Sequence, residues 1–160
     1  MASSVEERLL DLVVSKLAGI TVGNGYEETV LAANIHRGQD IAPQEIGASD
    51  CPAACVRIAS ISTRWHLRGA EEILMELDLI GVVDAAGGDE ALADLMADFR
   101  KLVYANKFWN DGSENLARRS WVIEDERYEV EVAEATLSGR VRVGILTRVD
   151  RSNPYSLKAV

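Results

Sequence analysis

Basic residues are the first shortage in this chain: 17 lysines and arginines face 26 aspartates and glutamates, a formal net charge of −9. Sequence-specific binding to duplex DNA needs a basic footprint, and the chain holds no such cluster. Long apolar runs are missing as well. None approaches the roughly 20 residues of a membrane-spanning helix. Glu6 and Glu7 precede the first apolar run, the wrong flank for a secretory signal. A soluble, cytosolic product is therefore expected. Cysteine is limited to Cys51 and Cys55, and histidine to His36 and His66. A structural zinc site wants four ligands at regular spacing, which this set does not supply. Two reduced, partly buried thiols are the ordinary reading of such a pair; whether they pair stays open.

What is present is enough for one core. The chain has 160 residues, and 48% of them are apolar, the size and composition of a single folded domain. The acidic excess is local. Residues 69–98 hold nine acids and no lysine or arginine, while the rest of the chain balances at 17 against 17.

Periodicity divides the chain into eight elements. Ser4 and Glu7 read as a capping box ahead of a helix over 5–18, with Leu9, Leu10, Val13, Val14 and Leu17 on its apolar stripe. A Gly23-Asn24-Gly25 turn then leads into a strand over 28–36. Residues 37–52 read as a long loop, and 54–61 as the next strand. Over 71–84, apolar Ile73, Met75, Leu77, Leu79 and Val83 alternate with Glu72, Glu76, Asp78 and Asp84. That pattern predicts a strand with one buried and one acidic face. Gly88 or Asp89 caps a second helix, whose buried stripe runs through Leu92, Leu95, Met96, Phe99, Leu102 and Val103. Strands are expected over 119–123, 127–137 and 140–149, the last two joined by a tight turn at Ser138-Gly139, with an irregular tail over 151–155. The expected fold is an α+β domain over residues 1–160, two helices packed on a largely antiparallel sheet in the order α-β-β-β-α-β-β-β.

The chemical motifs are weak. Gly23 and Gly25 start a dinucleotide fingerprint, but its third glycine is Glu28, and a helix precedes the turn where a strand should. No G-x-S-x-G elbow is present. Cys51 or Cys55 with His66, or Asp40 with His36, could act as a nucleophile–base or acid–base pair. A local hydrogen bond explains the second pair as well. The tryptophans at 65, 109 and 121 read as core or rim.

Several landmarks recur in a familiar order. They are Ile20-Thr21-Val22-Gly23-Asn24-Gly25-Tyr26, Ile35-His36-Arg37-Gly38, Cys51-Pro52-Ala53-Ala54-Cys55-Val56-Arg57-Ile58, the strand and helix over 74–83 and 91–103, and Asn153-Pro154-Tyr155. With the capped first helix, this order resembles the tail terminator proteins of long-tailed bacteriophages, across nearly the whole chain. The resemblance implies a structural protein of the virion, with no catalytic residues, cofactor or metal. It implies a homo-oligomeric ring, usually hexameric, at the tail–neck junction, assembled in the host cytoplasm. The ring would cap the head-proximal end of the tail tube and stop its polymerisation. Its partners would be the tube protein, the neck or connector protein and, in some tails, a sheath protein. DNA would pass through without sequence-specific contact, and no membrane is involved. Another head–tail joining or neck protein is the near alternative, and a small cytosolic hydrolase the distant one.

Charge segregation adds two expectations. Carboxylates on the even face of 72–84 (Glu72, Glu76 and Asp78) would face a channel and repel passing phosphates. The 37–52 loop and nearby arginines would meet a neighbour's acidic segment, the candidates being Arg37, Gln39, Asp40, Arg64, Arg68, Arg142 and Arg148.

Overall fold

The computed structural model describes residues 3–38, 42–67, 69–128, 135–150 and 152–157, with the side chains of 65–67, 154 and 155 left aside. Its elements are α1 (Val5–Leu17), β1 (Ile35–Arg37), β2 (Ala53–Leu67), β3 (Ala70–Asp84), α2 (Gly88–Ala105), β4 (Arg119–Arg127), β5 (Thr136–Asp150) and β6 (Asn153–Leu157), with short 3-10 turns between some of them. This is the α+β class and the order the periodicity predicts. The sheet runs β1-β2-β3-β5-β4, with β6 also pairing β5. Every pairing is antiparallel except β1 with β2.

Both helices cover one face. Ser4 caps α1 by accepting from the Glu7 amide at 3.2 Å, while the Glu7 carboxylate turns to Arg37 at 3.2 Å. Only half of the expected capping box forms. From α1, Val5, Leu9, Leu10, Val13 and Leu17 enter the core. The six residues of the expected α2 stripe are all buried, from Leu92 to Val103. Beneath them lie Ile73, Met75, Leu77, Leu79 and Val83 of β3 with Val141, Val143, Ile145 and Val149 of β5. Gly81 is what lets α2 sit so close. A Cβ there would stand 2.8 Å from Leu95 Cδ2 and 3.2 Å from the Phe99 ring.

Several expectations fail for physical reasons. The strand over 28–36 shrinks to Ile35–Arg37. Upstream amides are already committed, those of Glu27 and Glu28 to the buried Asp98 carboxylate of α2 at 2.8–3.2 Å. That of Val30 goes to the Ile20 carbonyl at 2.9 Å. Ser138-Gly139 is not a turn. Both lie inside β5, opposite Val82 and Gly81, and a Cβ on Gly139 would meet Met96 Sδ at 2.6 Å. The glycine that suggested a bend is instead a close approach to the helix. Most of the expected strand over 127–137 lies outside the described residues, at 129–134; β4 runs to Arg127, and β5 is unbroken from Thr136 through the strand expected over 140–149. The tail is not irregular over 153–157 but forms β6. The second half of the 37–52 segment is a loop, as expected, with 3-10 turns at Pro43–Glu45 and Ala48–Asp50, and it packs on the sheet. Ile46 is buried with Ala53, Cys55, Ile80 and Val82 in a small cluster on the helix-free face.

Overpacking a core with extra side-chain carbons costs roughly 1–3 kcal/mol, and valine at 81 would add three. Gly81→Val should therefore lower stability by about that amount in urea unfolding, while Phe99→Ala, which empties a fully buried ring site, should cost about 3–5 kcal/mol.

Candidate functional site

The helix-free face of the sheet gathers most of the residues singled out for function. Register places Glu72 opposite Arg148, Asp78 opposite Arg142 and Arg57, and Glu124 opposite Arg142. At its centre Asp78 is 3% exposed. It accepts from Arg142 Nε at 2.8 Å and Nη2 at 3.2 Å, with Arg57 at 3.7 Å and Arg140 at 3.9 Å. Hydrogen bonding to Asp78 raises the pKa of the Arg142 guanidinium further. Arg140 also reaches Glu124 and Glu126, both at 2.8 Å. Glu72 pairs with Arg118 at 2.9 Å and lies 3.7 Å from Arg148. Glu76 accepts from Ser60 at 3.1 Å. Trp121 lies over Gly144, where a Cβ would meet its ring at 2.8 Å, and Arg119 stacks on it at 5.1 Å.

This face is thus not the acidic surface that β3 alone implies. Five carboxylates, of Glu72, Glu76, Asp78, Glu124 and Glu126, share it with six arginines at 57, 118, 119, 140, 142 and 148. The even side of β3 is acidic, but its neighbouring strands supply the opposite charge. As a channel wall, Glu72, Glu76 and Asp78 have little unpaired carboxylate to present. Elsewhere in the acidic run, Asp84 accepts from the Ala86 amide, and Asp98 holds the 27–28 backbone.

The candidate interface residues scatter. Arg37 is tied to Glu7 and Asp11 of α1. Arg142 and Arg148 belong to the array just described. Arg64 is exposed near the far end of β2, with no ion-pair partner among the described residues. Gln39, Asp40 and Arg68 lie outside the described residues, and with Asp40 goes its pairing with His36.

The cysteine readings are answered by burial. Cys55 is buried, and desolvation pushes its thiol up to about 11 against a smaller opposing effect of Arg57. Burial, then Asp84 and Asp50, also raises Cys51, whose Sγ lies 3.6 Å from the Gly47 carbonyl. Neither is poised as a thiolate. His66 sits at the opposite end of β2 from Cys55, roughly 35 Å away at a strand rise of about 3.3 Å per residue, so that pair cannot form. Register instead sets His36 beside Cys55, a neighbourhood that linear spacing could not reveal. Among the described residues no group of three or more His, Cys, Asp or Glu could hold a metal ion. No helix there is long and apolar enough to cross a membrane.

The opening turn is fastened too. Thr21 caps a 3-10 turn over Val22–Asn24, and Gly25 takes a left-handed φ of 82°. Lys101 of α2 donates to the Gly25 carbonyl and stacks on Tyr26 at 5.0 Å. The turn has no helix N-terminus to offer a phosphate. Burial, then Asp94, Asp98 and Glu27, raises the pKa of Glu28 beside it.

A shallow cleft of about 690 Å³ opens between α1 and the segment after α2, lined by Leu12, Lys16, Phe108, Trp109 and Asp111 among others. Asp111, at its edge, accepts from Arg8 at 2.5 Å, and Arg8 also donates to Glu114 at 2.7 Å. The Arg8 bond, then bonds from Ser113 and Glu114, holds the Asp111 carboxyl well below the usual carboxylate range.

Two outcomes follow from these charges. Removing one partner of a buried ion pair costs about 3–5 kcal/mol, so Asp78→Ala should lose that much in chemical denaturation, whereas Glu124→Gln at the exposed rim should cost no more than about 1 kcal/mol. Asp111, with its depressed folded pKa, contributes stability that is present above the unfolded value of about 3.9 and lost as pH falls below it. Asp111→Asn should therefore be less stable than the parent by up to about 1 kcal/mol at neutral pH, and the two urea curves should converge as pH drops below about 4. No protein-family model matches the chain, and no curated protein matches it.

Proposed function

We propose that this chain is a tail terminator of a long-tailed bacteriophage. In this reading it assembles as a ring on the head-proximal end of the finished tail tube, stops tube polymerisation, and gives the neck or connector its docking surface. The observation that carries it is the order and spacing of the landmarks, which span nearly the whole sequence. In the structure they fall at the turn after α1, at β1, at the start of β2, along β3 and α2, and at the start of β6. The α+β domain is of the kind the resemblance implies.

The chemistry supports a protein that acts through surfaces. Its most elaborate polar constellation is the ion-pair array on the helix-free face, which has arginines and carboxylates satisfying one another. Such an array orders a surface and gives it a fixed charge pattern; it supplies no nucleophile or poised base. The hydrolase alternative is weakened by the protonated, buried thiol of Cys55 and by the distance to His66. Partners in this reading are further copies of the chain, the tube protein and the neck protein, with a sheath protein where the tail contracts.

The test is tube growth. Purified chain added to polymerising tube subunits should leave, by electron microscopy, tubes with ring-shaped density at one end and no further elongation. A neck protein would bind finished tails without halting tube growth. Tubes that lengthen undisturbed and carry no end density overturn the terminator reading.

A further inference from the structure

Two strand edges of the sheet have no ladder partner among the described residues. β1 covers β2 only from Ala54 to Val56, so β2 from Ile58 onward pairs with β3 alone. On the other side of the sheet, β4 pairs with β5 alone. An unpaired edge presents a row of backbone donors and acceptors that templates another strand. Natural edges are blunted by proline, by charged side chains, lysine above all, and by bulges that twist the edge away. Here neither strand has a proline or lysine along these edges, and 58–63 carries no charge.

The exposed apolar side chains mark the same two places. Ile58 is 39% exposed and Ile61 50% on β2, and Ile123 is 41% exposed on β4. The two edges also differ in charge. β2 carries the exposed Arg64 near its end at Leu67, while β4 carries Glu124, Asp125 and Glu126 in succession. Those three carboxylates keep about half their exposure despite internal pairing. An edge with a free cation facing an edge rich in carboxylates favours unlike edges meeting over like ones.

Strand direction agrees. β2, β3, β5 and β4 alternate strictly along the sheet, an even number, so a second copy brought alongside by rotation sets its β2 antiparallel to the first copy's β4. We infer that β4 of one copy pairs, antiparallel, with the outer half of β2 of the next. The contact is head-to-tail, and it buries Ile58, Ile61 and Ile123. A head-to-tail contact closes into a ring when its rotation allows and runs into open filaments when it does not. Each edge carries a register shift, at Ile58/Ser60 on β2 and Val122/Glu124 on β4. Such bulges locally disrupt the ladder and bend the strand, so pairing between copies is confined to the stretches on either side of them. The closed ring, though not the pairing itself, rests on the terminator reading.

Two variants test the pairing, each altering only exposed side chains and each first checked for an unchanged melting temperature. One carries Ile58→Lys with Ile61→Lys and has a disabled β2 edge; the other carries Ile123→Lys and has a disabled β4 edge. In sedimentation velocity the parent chain should self-associate as its concentration rises toward millimolar, and each variant alone should lose at least about tenfold in association constant. Mixed in equal amounts, the two variants should form a capped heterodimer, because each contributes its one intact edge. A parent chain that stays monomeric, a variant that assembles as well as the parent, or a mixture that stays monomeric each overturns the edge pairing. If the parent forms rings and so do the variants, the edge pairing fails and the terminator reading stands. If the heterodimer forms while the parent grows only open filaments, the pairing stands and the terminator reading fails.

Discussion

β3 is paired along both edges, and the rest of the fold answers to that constraint. Its fifteen residues lie in register with β5 from Ala70 opposite Asp150 to Asp84 opposite Thr136, and with β2 along nearly the same length. A strand in that position has both faces to cover. The helix side is covered by apolar packing, with Gly81 and Gly139 lying opposite each other and left bare so that α2 can descend. The far side lacks a helix, and the chain covers it with its own long polar side chains. Arginine stems supply the apolar cover and guanidinium groups the charge balance.

That second solution explains why Asp78 is tolerable at the middle of a sheet. An isolated carboxylate so little exposed would lose several kcal/mol of hydration. Here a bidentate arginine and two further cations stand around it. Each of those arginines comes from a different register position on β2 or β5, so the array forms only when all three strands are correctly aligned. It acts as a check on register as much as a source of stability. The same argument limits any electrostatic role for this face, since its charges are largely spoken for within the chain.

The features legible in the sequence were those carried by one element at a time. The stripe of α2, the alternation of β3 and the Ser4 cap are local patterns, and each was found where its periodicity placed it. What stayed hidden depended on neighbours. Gly139 has the local chemistry of a turn, yet its reason is Met96, more than forty positions earlier. Glu28 to Asn34 alternates like a strand, but Asp98 takes the Glu28 amide and the Ile20 carbonyl takes that of Val30. In sequence the 69–98 segment shows only its acidity, because nothing in it announces Arg57, Arg140 and Arg142 as the partners of Asp78. For the same reason the array at Asp78 was legible only as its acidic half. The two free edges were not legible at all, since an edge is defined by which strand is missing beside it.

Arg8 reaches across more than a hundred positions to Asp111 and Glu114, and α1 also packs on β6, the last strand described. The first helix can coil as soon as it is made, but its seat is built from chain that follows much later. Until β5 and β6 join the sheet, the apolar stripe of Leu9, Val13 and Leu17 has no complete surface to bury against. Contacts of such separation carry a larger loop-closure cost than those between neighbouring strands, so the seat of α1 depends on the most distant parts of the described chain.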